Sequence, residues 1–170
     1  MTLSRALKVA LTVALLVVVG AFVIQAFPAV AGVDYSFTVQ SGSMEPAIQT
    51  GSVVFVEDVP AERVEEGDVI TFSDDGGNLI THRVIEKHAA DSSVRFVTKG
   101  DANENPDHEP VYRDDLVGVV AFSIPLIGYV VAFGNTTLGY VALVLVPVVL
   151  LILNELWELW KAGTRGEENV

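Results

Sequence analysis

The sequence predicts a mainly β domain, a small twisted sandwich or open barrel, carried between an N-terminal and a C-terminal transmembrane α-helix. Three observations lead to this class. Charge-free apolar stretches lie toward both ends, 25 residues from Val9 to Val33 and 39 from Leu116 to Asn154. Between them, short β-branched runs alternate with turn residues, and no long segment of helical period intervenes. The acidity is confined to the middle: from Asp34 to Asp115 there are 18 Asp plus Glu against 6 Lys plus Arg, which accounts for the whole net charge of -12.

The first stretch exceeds the roughly 20 residues that a helix needs to cross a bilayer. Arg5 and Lys8 flank its start. Pro28-Ala29-Val30-Ala31-Gly32 also has the small residues of a signal cleavage site, but the apolar run is longer than the roughly 7 to 15 residues of such signals. Residues 1–33 are therefore assigned to a tail and a first span. In the second stretch, Leu116–Phe122 is short and β-branched, and Pro125, Gly128 and Gly134-Asn135 interrupt the residues after it. One span from about Thr136 to Leu156 fits better than two, with Pro147 bending it and residues 157–170 as a tail. Trp157 and Trp160, with Lys161 and Arg165 beyond, have the character of interfacial anchors.

Residues 34–135 form the expected β domain, of which 123–135 is expected to lie against the membrane. Tyr35–Val39, Ser52–Val56, Asp68–Phe72, Leu79–Glu86, Val94–Lys99 and Leu116–Phe122 read as six strands. Pro60, Gly67, Asp74-Asp75-Gly76-Gly77 and Asp91-Ser92-Ser93 punctuate them. With 170 residues there is room for about one domain of ordinary size. The chain has no cysteine, which excludes a disulfide framework and thiol chemistry. Its acidity disfavours nucleic acid, whose phosphates demand basic surface. By the excess of positive charge on cytoplasmic tails, Arg5 and Lys8 put the N-terminus inside and the β domain on the extracytoplasmic face of a multi-pass membrane protein.

Ser43 follows the first expected strand, with Gly42 permitting tight backbone geometry before it and Pro46 stiffening the chain after it. An ordinary turn serine would also fit. A serine hydroxyl needs a neighbouring base to act as a nucleophile, and His82 projects from the largely apolar face it shares with Ile80 and Val84. A core histidine would sit there too. Asp101 or Asp107 could hold its imidazole, the orienting role of a third triad member. His82, His88, His108 and Glu109 have no compact metal-ligand spacing. Lys87 and Lys99 are alternative bases, though acidic neighbours keep a lysine charged. Asn135-Thr136-Thr137 is a glycosylation triplet at the mouth of the second span.

Ser43-Met44-Glu45-Pro46, Gly67-Asp68-Val69-Ile70, His82-Arg83-Val84-Ile85 and Thr98-Lys99-Gly100-Asp101-Ala102-Asn103 occur in this order. Together they resemble type I signal peptidases of the archaeal and endoplasmic-reticulum branch, which carries histidine where the bacterial branch has a lysine base. The resemblance runs from the first span to about residue 130. It implies a signal-peptidase-like catalytic domain and a serine endopeptidase that cuts signal peptides from preproteins after small residues, beside a lipid bilayer and protein translocation machinery. It implies Ser43 as nucleophile and His82 as general base, with Asp107 as first choice for the triad and Asp101 as a supporting acid. The Ser43 N–H, with the Ser41 hydroxyl, would bind the oxyanion. No cofactor or metal is expected. Ala102 departs from the branch, which usually has asparagine there, and Pro106 loosens the register between the two aspartates. A membrane-anchored β module that binds translocating chains without cutting them is the alternative.

Overall fold

The computed structural model describes residues 5–90 and 93–167. The chain divides into two compact units, one made of 1–23 with 130–170 and the other of 24–129.

In the first unit, α1 (Arg5–Ala26) contains a stretch, Lys8–Ala26, long and apolar enough to cross a membrane. The helix is shorter than the apolar run. Pro28 biases Phe27 out of the helical region, and Phe27 has φ -133° and ψ 72° before a single 3₁₀ turn, Pro28–Ala31. A second such stretch, Thr137–Trp157, runs through α3 (Thr137–Tyr140), a π-helical segment (Val141–Leu145) and α4 (Val146–Glu167), with α2 (Ile127–Gly134) ahead of it in the chain. Pro147, at the second position of α4, has no N–H to give and crowds the carbonyl four residues earlier. The widened π turn just before it accommodates that defect. The helix continues past Leu156 because the residues beyond it are mostly good helix formers that need no apolar solvent. Of the expected anchors, Trp157 and Trp160 are helical and their rings lie 5.3 Å apart, whereas the side chains of Lys161 and Arg165 lie outside those described. Gly134 leaves room for the Phe22 ring, and Lys8 Nζ lies 3.3 Å from Glu155 Oε1, a contact between the start of α1 and the middle of α4. Thr136 caps α3 by accepting from the Gly139 N–H at 3.0 Å.

The second unit is one antiparallel sheet of seven strands, in the order β1-β2-β7-β3-β4-β5-β6. The strands are β1 (Tyr35–Thr38), β2 (Val53–Glu57), β3 (Val69–Ser73), β4 (Leu79–Ala90), β5 (Ser93–Lys99), β6 (Val111–Tyr112) and β7 (Leu116–Ile124). The mainly β class is as expected, in its open form rather than as two stacked sheets. Six strands match the expectation closely. The seventh, β6, has only two residues and so carries no period to read. Of the expected turn Asp91-Ser92-Ser93, the first two residues lie outside those described. The last strand in sequence is inserted between β2 and β3, where Gly118, at φ 156°, sits against the Glu57 carbonyl with no room for a Cβ. The sheet register shifts there, between Thr71 and Phe72, which bends the sheet. β1 and the start of β4, on opposite sides of that bend, consequently wall a common cavity. Phe96, fully buried among Ile70, Phe72 and Val84, anchors one core cluster, and Met44, Ile48, Val54 and Val56 form a second.

Candidate functional site

Met44 places Ser43. The methionine is 1% exposed in the second core cluster, so the turn that drives it inward leaves its neighbour Ser43 half-exposed. Backbone bonds from Glu45 N to Gly42 O (3.0 Å) and from Ile48 N to Met44 O (2.9 Å) close the turn. Its outer side is held by the loop after β5: Ala102 N donates to Ser43 O at 2.8 Å, and Gly100 lies so close that a Cβ there would be 2.6 Å from that same oxygen. Ser41 Oγ lies 3.3 Å from Ser43 Oγ, and either hydroxyl can donate. Among the described residues, the Ser43 backbone N–H donates to no acceptor.

His82 is on β4, opposite Ile70 of β3, 8% exposed, with the edge of the Phe72 ring against it. Its Nδ1 lies 2.6 Å from Asp107 Oδ2. Against an ionised carboxylate, Nδ1 carries the proton and Nε2 is left with a free lone pair, the form a general base requires. The same Asp107 oxygen accepts from Thr98 Oγ1 at 2.7 Å, and Asp107 N donates back to Thr98 O at 2.8 Å. Nothing in the sequence reading singles out Thr98 for a role of its own. The one available signal is a polar residue at an alternate, inward position of a strand that otherwise turns Val94 and Phe96 to the core.

Asp101 goes elsewhere. Arg83 follows His82 in the strand and therefore projects to the other face. There its Nε and Nη2 bind Asp101 Oδ1 and Oδ2 at 2.8 and 2.6 Å, and its Nη1 donates to Gly67 O at 2.8 Å. The hydrogen bonds that it donates to Asp101 hold the guanidinium's pKa above its ordinary value, against the opposing effect of burial. Of the alternative bases, Lys87 Nζ donates to the carbonyls of Glu62 and Val64 at 2.7 and 2.6 Å, and of the residues weighed as metal ligands, His88 pairs with Glu86 at 3.1 Å.

Ser43, Ser41 and His82 line one cavity of about 830 Å³ whose other walls include Phe37, Val39 and Ile80. A second cavity of about 880 Å³, with Asp107 in its wall, shares Ile80 and Asn103 with the first. A half-exposed hydroxyl, an idle main-chain donor beside it, and a carboxylate-held imidazole on the same cavity make up the equipment for acyl transfer. The chain belongs to the Peptidase S24-like family, whose model matches residues 22–130. It is similar to the signal peptidase complex catalytic subunit SEC11 of Colletotrichum graminicola, with 38% identity over 101 residues, 54% of this chain and 59% of that protein. Signal peptidase I W of Bacillus subtilis is 38% identical over 90 residues, covering 52% and 47% of the two chains. The signal peptidase complex catalytic subunit SEC11C of Homo sapiens is 34% identical over 107 residues, covering 57% and 55%. These relatives carry the signal-peptidase names that the four ordered motifs lead one to expect. The matches span about half the length of these curated relatives.

Proposed function

We propose that the chain is a membrane-bound serine endopeptidase that removes N-terminal signal peptides from preproteins. The observation that carries the reading is the part-buried His82–Asp107 pair at 2.6 Å, with His82 on the cavity that Ser43 also lines. The names of the relatives supply the substrate class.

In this reading His82 Nε2 takes the Ser43 proton as Oγ attacks the carbonyl carbon of the scissile bond. Asp107 keeps the proton on Nδ1 and stabilises the imidazolium that forms. The negative charge on the carbonyl oxygen is met by the Ser43 N–H and the Ser41 hydroxyl. One such donor is worth about 3 to 4 kcal/mol of barrier. The imidazolium then returns its proton to the leaving amine, and water, activated by the same imidazole, releases the acyl group from Ser43.

Substrate recognition is built on the sheet. Among the described residues, β1 pairs only with β2, and residues Leu79–His82 of β4 pair only with β3, since β5 joins β4 from Arg83 onward. Each has a side open to an extended peptide, which would add as a strand and present alternate side chains to the cavity. Two spans, Lys8–Ala26 and Thr137–Trp157, would tether the β domain to the bilayer. The positive charges of Arg5 and Lys8 at the start of the first favour an orientation with that domain on the extracytoplasmic face, where chains would emerge from the translocation machinery.

The test is cleavage of a preprotein bearing Ala-x-Ala before its scissile bond by the full chain in detergent or proteoliposomes. The intact protein is expected to release the signal peptide. Ser43→Ala and His82→Ala should abolish product, Asp107→Asn should lower kcat about a thousandfold or more, and Lys87→Ala and Lys99→Ala should retain it. Undiminished product from Ser43→Ala would refute the assignment. No product from the intact chain in any lipid or salt condition would leave a binding module.

A further inference from the structure

Resting on the reading above, we infer that Thr98 is a positioning residue of the catalytic apparatus, acting through Asp107 on His82. Its side chain is fully buried, and a buried hydroxyl must find a partner. The partner is the very oxygen that holds the imidazole: Asp107 Oδ2 accepts from Thr98 Oγ1 at 2.7 Å and from His82 Nδ1 at 2.6 Å. Thr98 also grips the aspartate by its backbone, because Asp107 N donates to Thr98 O at 2.8 Å. Only a residue with a donor on its side chain and an extended backbone can do both, and Thr98 is the next-to-last residue of β5.

The geometry matters because Asp107 comes from a loop. Its side chain is 23% exposed, and a carboxylate on a loop has a choice of rotamers. Two donors converging on one oxygen remove that choice, and the second, from a fully buried hydroxyl on a strand, ties the loop carboxylate to the sheet that also carries His82. The imidazole then inherits the rigidity of the strand. Because a threonine hydroxyl donates one hydrogen bond and Asp107 claims it, Thr98 has no proton to lend to substrate. Its contribution is aim.

The test compares Thr98→Val, which keeps shape and burial but removes the donor, with Thr98→Ser, which restores it. With the full chain in detergent and the Ala-x-Ala preprotein, Thr98→Val should lose about tenfold or more in kcat with KM within about twofold. Thr98→Ser should recover kcat to within about threefold of the parent. Should the valine variant fail to fold, Thr98→Ala takes its place. A second readout is independent of turnover: the downfield proton resonance of the His82 Nδ1–H, assigned by its disappearance in His82→Asn, should shift or broaden in Thr98→Val and return in Thr98→Ser. A folded Thr98→Val with the parent's kcat and an unmoved resonance would overturn the inference, as would a serine variant as impaired as the valine one. If the intact protein cleaves nothing, the peptidase reading falls while the resonance still decides whether Thr98 positions His82.

Discussion

Replacing Gly100 by alanine should cripple the site without touching any of its reacting groups. A Cβ at residue 100 would sit 2.6 Å from the Ser43 carbonyl oxygen, where ordinary contact begins at 3.4 Å, so one backbone must yield by about 0.8 Å. The other close neighbour, Asn103 Nδ2 at 2.8 Å, is a side chain and can swing away, but the carbonyl cannot. That carbonyl also accepts from Ala102 N at 2.8 Å, so relief at one point strains the other. A misplacement of about 1 Å at a nucleophile can cost roughly a hundredfold in rate, and overpacking costs about 1 to 3 kcal/mol in stability. Single-turnover cleavage of the preprotein, with thermal unfolding of the same preparation, separates the two effects. Gly20→Ala, where nothing lies within 4 Å of the added carbon, is the control. If folded Gly100→Ala cleaves within about threefold of the parent rate, the loop after β5 does not set the position of Ser43.

Three further outcomes are expected. Asp101→Asn removes the charge from a bidentate pair whose arginine is 34% exposed, and should lower stability by about 1 kcal/mol, read as a drop in unfolding midpoint that added salt partly masks. An unchanged midpoint would show the pair to be idle. Phe96→Ala empties the centre of the larger core cluster, and should cost about 3 to 5 kcal/mol in denaturant titration. The Asp74 carboxylate is held below its ordinary 3.8 by bonds from the side chain and backbone of Asn78 and from the Gly76 N–H. A lowered value means the stabilisation is present above 3.8 and fades as pH falls through the folded-state value. The melting advantage over Asp74→Ala should therefore be full at neutral pH and shrink in acid, and a constant gap would contradict it.

Much of this arrangement can be read in the residues because it is local. The strands from Tyr35 to Lys99 announce themselves by β-branched runs between turn residues, and Ser43 by the residues on either side of it. The parts that escape depend on partners distant in sequence. Val111-Tyr112 is a strand only because Arg95 and Phe96 lie opposite it. The place of the last strand between the second and third is decided by packing at Gly118, which no periodicity reveals. The division of labour between the two aspartates is within reach: neighbours in a strand face opposite ways, so a carboxylate bound by Arg83 is denied to His82. Which aspartate that would be turns on the course of the loop, and sequence spacing does not settle it. Thr98 stays hidden because a polar residue inside a strand looks like any other until its partner is known.

The loop that carries Asp107 is moored at both ends, by Ala102 N to Ser43 O on one side and by Asp107 N to Thr98 O on the other. Glu104, Asn105 and Pro106 hang between those moorings as slack. Chain added or removed there need not pull on the hydroxyl or the imidazole, so a change of length in this short bight should leave both in register.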